Sequence, residues 1–329
     1  MTVAIAPPPN PFTALGTAVT HAREASDALA AAGLANLNVR KAPITHNGYQ
    51  VDGKYLLVHD GPDGTDIPFP NITVGEDFTV YQYEEVAAVL DTVAAATGAT
   101  FDRAGDLDVE HYRLLGARAF ISLKLPDTIS PGGDPIEAYI AAFMSHGAGS
   151  NVMAPTGTRI FCANQQPQIS QETSRVIIRH TKRIDMRHKM AAEILTNSAK
   201  ALTTAKRDAE IMLAQRTTDE QFRAMIERAF PRRGDAPATL TRFETKVEQM
   251  MVIRHGDTNR GIVGTAWGDY QAMLEWIQWH QKIQGETEAQ SPARLRARRV
   301  LVPTAPVVNS QIAALNAVLD VADIQLPLN

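Results

Sequence analysis

Two stretches of the chain concentrate side chains able to hold an anion. Between Arg175 and Arg207 nine Lys and Arg stand against two acids, Asp185 and Glu193, so this segment carries +7 and the remaining chain −11. A local excess of that size is an electrostatic footprint for a polyanion even on an acidic protein. On a helix turning about 100° per residue, Lys182, Lys189, Lys200 and Arg207 fall within about 20° of one line, a cationic stripe ~38 Å long. Glu193 shares the line and dilutes it. Ile194, Leu195, Leu202 and Leu213 gather on the opposite side, so the helix is amphipathic. Arg175, Arg179 and Arg183 would extend the basic surface from a preceding strand and the helix start. The second stretch, Ser145 to Gln166, is dense in glycine and polar groups. Its glycines let backbone N–H groups approach an anion, and His146, Asn151, Arg159 and Asn164 offer contacts to phosphate or base. The plainer alternatives are a solvated helix face for the first stretch and a hairpin loop with glycines at its turns for the second.

Catalytic signatures are weaker. The segment from Val252 to Asn259 reads Val-Ile-Arg-His-Gly-Asp-Thr-Asn and resembles the Arg-His-Gly signature of histidine phosphatases, whose histidine accepts a phosphoryl group. That chemistry needs the loop at the end of a central strand with a long chain still to come. Here 70 residues follow Asn259 and residues 244–251 read as helix. Gly256, Asp257 and Asn259 read instead as turn residues closing that helix. No glycine-rich phosphate loop of either common type is present. The nine histidines contain no i, i+4 pair, and the single cysteine, Cys162, excludes an internal disulfide framework and a zinc site built on several thiolates. A carboxylate-only magnesium site leaves little sequence trace and stays open. The expectation is a protein that is not an enzyme and has no cofactor.

The elements that must position these residues follow from pattern. A chain of 329 residues, 44% hydrophobic and 21% charged, is ordinary soluble globular material for one large domain or two modest ones. No apolar run approaches the ~20 residues of a membrane helix. The N-terminal MTVAIAPPPNPF lacks a basic n-region, so a cytoplasmic protein without a leader is expected. Residues 1–35 read as an arm and a helix over 22–32, and 36–182 as a β-rich body. Residues 183–284 read as a helical part, and 285–329 as a tail with a short helix near 310–323. Asp52-Gly53 between two strand-like runs signals a hairpin turn. Further strands are expected over 72–80, 119–125, 138–145, 158–163 and 175–178. Helices are expected over 84–97, 184–216, 240–254 and 265–283, with another opened by a capping box at Thr217–Glu220. All three tryptophans fall on the helix over 265–283. Trp276 and Trp279 share a face, and Trp267 points about 120° away from Trp279. They serve either the core or an interface. The fold class is α+β.

The chain as a whole resembles the phage/plasmid-like proteins grouped as domain of unknown function 932. The resemblance rests on Asn10-Pro-Phe-Thr-Ala-Leu-Gly-Thr17, Thr79-Val-Tyr-Gln-Tyr83 before a helix, and the stretch from Ser145 to Gln165. Ile177-Ile-Arg-His-Thr181 before the long helix and Gly264-Thr-Ala-Trp-Gly268 complete it. Gly147-Ala-Gly-Ser departs from the more usual Asp-Gly-Ser. The resemblance implies a bacteriophage, prophage or plasmid source and supplies no activity. Its β-then-helix layout is loosely similar to single-strand annealing proteins, an analogy at the level of fold. Together with the basic segment it gives the expectation of a non-enzymatic, homo-oligomeric single-stranded nucleic-acid-binding protein that assists annealing or recombination. DNA is preferred over RNA as its partner, and bases are left free to pair. The groove would lie between the β-rich body and the long helix. The alternative is a self-assembling structural or host-interaction protein with no nucleic-acid role.

Overall fold

A computed structural model of the chain describes residues 10–61, 63–107, 116–147, 149–166, 175–180, 187–232, 234–281 and 292–327. It is α+β, with antiparallel sheets first and helices after. Helix α1 (Pro11–Leu15) starts at Asn10, whose side chain accepts the Phe12 N–H as an N-cap. Strand β1 (Thr17–Ala18) and helix α2 (Ala25–Ala31) follow. Strands β2 (Arg40–His46), β3 (Tyr49–Asp60) and β4 (Asp66–Gly75) form a separate three-stranded sheet. The hairpin expected at Asp52-Gly53 lies elsewhere: β3 continues through those residues, and the chain reverses at Asn47-Gly48. Both turn residues are left-handed, at φ 49° and 81°, the combination that a two-residue hairpin requires. Pairing jumps from Pro43↔Tyr55 to Thr45↔Gln50, so Asp52-Gly53 sits in a bulge, with Gly53 at φ 65°.

The main sheet is built from β1, β5 (Thr100–Asp106), β6 (Arg118–Ile129), β7 (Ile136–Ser145), β8 (Asn151–Arg159) and β10 (Val176–Ile178), adjacent in that order. The two-residue β9 (Gln165–Gln166) pairs with β8. Alternation along the strands splits it into two faces. One face carries Ile121, Ile140, Met153, Val176 and Ile178. It is covered by α2, by α3 (Tyr83–Thr97) and by the N-terminal half of α4 (Arg187–Ala214), through Leu29, Leu90, Met190 and Ile194. The other face is covered only in part. There Phe120, Tyr139 and Ala141 pack against Phe12 of α1 and Ala297 and Leu301 of α8 (Pro292–Leu301).

The helical part gathers the far end of α4, α5 (Asp219–Ala229), α6 (Pro237–Arg254), α7 (Ala266–Glu275) and α9 (Ala305–Val321) around Met212, Phe222, Met250 and Val318. Thr218 and Gln221 make the reciprocal capping box that opens α5. The C-terminal segment carries two helices where one short helix was expected, and α9 lies in the core. Past α7 the helix loosens into a π-helical turn over Trp276–His280. Trp267, Trp276 and Trp279 are all buried, the first two among the apolar side chains of the helical part. No helix among the described residues is long and apolar enough to cross a membrane.

His146, expected on a binding surface, is instead enclosed where the two sheets meet. Its ring stacks on Tyr83 at 3.9 Å and lies 6.0 Å from Phe69. Burial, reinforced by His180 and His59, pushes its pKa from the ordinary 6.5 down to about 3. The unfolded chain takes up a proton that the fold refuses, so stability contributed here is complete above pH ~6.5 and is lost as pH falls towards 3. At about 1.4 kcal/mol per pH unit, moving from pH 7 to pH 5 costs about 2 kcal/mol through this group. Urea denaturation of His146→Phe, which keeps the stacked ring and removes the titration, is expected to show a pH 7-to-5 difference smaller by that amount.

Candidate nucleic-acid interface

The glycine-rich stretch is not an open loop. Residues 151–159 are strand β8, and its Asn151, Thr158 and Arg159 are buried. Arg159 is 1% exposed, and its Nε donates to both oxygens of Asp134 at 2.6 Å. Its Nη1 reaches Asn259 Oδ1 at 2.8 Å, and Nη2 donates to the Thr258 carbonyl. Burial opposes the charge, but Cys162 and Asp134 outweigh it and raise the Arg159 pKa. Trp267 Nε1 donates to the second oxygen of Asp134 at 3.0 Å. Asn164 Nδ2 donates to the Gln271 carbonyl at 3.0 Å. Gln165 N–H donates to Gln278 Oε1, and Gln278 Nε2 returns a bond to the Gln165 carbonyl at 2.8 Å. Asn151 Oδ1 accepts the Ser145 N–H at 2.8 Å. Arg159, Asn164 and Asn151, like His146, are therefore structural residues and not nucleic-acid contacts. The first two belong to a polar seam fastening the sheet to the helical part, and Asn151 braces its own hairpin. Cys162 is buried in the same seam, its thiol pushed up to about 12 by that burial.

Arg254 of the Arg-His-Gly segment has a comparable structural task. It ends α6, not a strand, and is buried. Its Nε donates to Asp269 Oδ1 at 2.6 Å, its Nη2 to the Thr217 carbonyl at 3.2 Å, and its Nη1 pairs with Asp219. His255 contacts Asp219 from outside at 3.0 Å. Among the described residues no group of three or more His, Cys, Asp or Glu could hold a metal.

The basic segment divides. Lys182 and Arg183 lie outside the described residues. Helix α4 packs flush on the sheet through Met190, Ala191 and Ile194, so the expected groove between helix and sheet is filled with side chains. Lys189 and Lys200 are exposed on the outer side of α4. Arg207 is half-buried, paired with Asp208 at 2.8 Å. Val176 and Ile178 face α4, so by strand alternation exposed Arg175, Ile177 and Arg179 belong to the opposite face of the sheet.

That opposite face is where space exists. Beyond the part covered by α1 and α8, it floors a groove of about 750 Å³. Cross-strand register lines up Phe143 with Val152 and Val152 with Ile177, while Arg118, the first residue of β6, pairs with Ser145. Ala154 and Thr156 continue the floor, and Arg175 stands at the β10 edge. Leu301, Val302, Pro303 and Val308, where α8 passes to α9, form the facing wall. Among the described lining residues there are two arginines, Arg118 and Arg175, and no carboxylate. From β6 to β10 the face spans three strand spacings, roughly 14 Å. Phe143, Arg118 and Leu301 carry no linear signal. They lie 25 to 183 residues apart in sequence, and only the strand order assembles them.

A family model described as a domain of unknown function (DUF932) matches residues 72–301, well over half of the chain. The chain belongs to the DUF932 family. No curated protein and no solved structure matches it. The DUF932 span runs from Ile72 of β4 to Leu301 of α8, so Arg118, Phe143, Arg175 and the whole polar seam lie inside it. Arg159→Met leaves Asp134 buried without its partner, a change that costs ~3–5 kcal/mol for pairs of this kind. Urea denaturation should show that loss, and Arg159→Lys should not restore it, because a lysine cannot reproduce the forked contacts.

Proposed function

We propose that this DUF932 protein binds single-stranded nucleic acid along the open face of its main sheet and acts by binding rather than by catalysis. The observation that carries the reading is the groove's charge. On a chain of net charge −4, its described lining includes two arginines and no carboxylate. Guanidinium groups match phosphate with paired hydrogen bonds, and a sheet face bearing an aromatic ring suits unpaired bases. Arg175 is the phosphate contact, Arg179 adds charge beside β10, and Phe143 is the stacking surface. A face roughly 14 Å across takes only a few nucleotides of an unpaired strand. So short a site gains grip on a long strand when several copies bind side by side. Lys189 and Lys200, on the far side of α4, are solvated surface charges in this reading.

Fluorescence-anisotropy titrations with single-stranded and duplex DNA at two salt concentrations test it. The parent is expected to prefer the single strand. Arg175→Glu should weaken binding by ~10-fold or more, the worth of a charged hydrogen bond, and lower the salt slope by ~0.7 for each phosphate no longer neutralised. Lys200→Glu should change little. Absence of single-strand binding by the parent, or weakened binding in Lys200→Glu with Arg175→Glu unchanged, overturns the proposal.

A further inference from the structure

Resting on the single-strand reading above, we infer that the groove holds its strand with bases turned inward against the sheet, so that a bound strand cannot pair until it is released. The groove's chemistry is sorted by depth. Its floor is the half-buried ring of Phe143 with Val152 and Ala154 on the neighbouring strand, and its facing wall is Leu301, Val302 and Val308. The exposed charge, Arg175, immediately precedes the outermost strand of the sheet, at the rim. A phosphate pressed against the aliphatic floor would lose its water without gaining a partner, a large penalty for a full charge. At the rim it keeps water and meets arginine. A base turned inward meets what its faces favour: one aromatic ring and aliphatic surface, which tolerate any sequence. The polar groups that could have read base edges at this end are already committed, because Gln165 and Gln278 bond each other and Gln166 bonds Gln271. Recognition is therefore for the unpaired state, not for a sequence. The sheet lies on one side of the floor and the α8–α9 link on the other, so bases turned inward are covered on both sides. The expectation that bases stay free for pairing is replaced by its opposite: the protein keeps strands open, and pairing follows dissociation.

Permanganate oxidation of thymines in a labelled oligo(dT) reads base exposure directly, and annealing to oligo(dA) at saturating full-length protein reads its consequence. Anisotropy on the same samples establishes occupancy. The expected result is protection of bound thymines and annealing slowed at least ~10-fold at full occupancy. Phe143→Ala should lose ~10-fold in affinity, the usual worth of one stacked base, with the salt slope kept because the phosphate contacts remain. Phe143→Leu, which preserves bulk, should fold normally and show the same loss of protection. If anisotropy shows Arg175-dependent binding while thymines stay reactive and annealing is unchanged or faster, the bases face outward and the inference fails, although the single-strand reading stands. If the parent does not bind, both fail together.

Discussion

The buried ion pair between Arg159 and Asp134 is the constraint on which the other features depend. Arg159 ends β8, Asp134 precedes β7, and the guanidinium continues to Asn259 and Thr258 of the helical part. Trp267 of α7 closes the arrangement by donating to Asp134. Burying two charges is expensive unless each is fully bonded, and here four segments must be in place before that condition is met. The pair thus makes docking of sheet and helices a single event. The amide contacts of Asn164, Gln165 and Gln278 extend the same seam along the edge of the sheet.

What the seam fixes is the position of the α8–α9 link over the sheet. Leu301 reaches Phe120 and Tyr139 from one side, while Val307 and Val318 of α9 are held in the helical core. The link between them cannot collapse onto Phe143 and Val152, and the groove follows from that separation. At the groove the exposed Arg175 meets apolar surface. Arg159 and Arg254, by contrast, are consumed in buried ion pairs. The outer lysines of α4, Lys189 and Lys200, are exposed to solvent.

Much of the architecture was legible because it is local. The β-then-helix order, helices α3 and α6, and the α5 capping box all follow from periodicity and caps within a few residues. The hairpin was misplaced because Asp-Gly and Asn-Gly carry the same turn chemistry, and only pairing with β2 decides between Asn47-Gly48 and Asp52-Gly53. The site was less legible. Arg159 and Asn164 look like ligand contacts in a polar, glycine-rich sequence, yet their partners lie about a hundred residues onward. Arg175 was joined to the α4 lysines by nearness in sequence, although alternation along β10 sends it to the other face. Phe143 and Arg118 were missed because a strand pattern gives parity and not neighbours.

The central claim is that single strands lie on the open sheet face and not on the cationic side of α4. Photo-cross-linking with an oligo(dT) carrying 5-iodouracil, followed by digestion and mass spectrometry, tests it most directly. Adducts on peptides containing Phe143, Val152 or Leu301, abolished in Arg175→Glu, are the expected result. Adducts concentrated on the α4 peptides around Lys189 and Lys200, or adducts indifferent to Arg175→Glu, would contradict it.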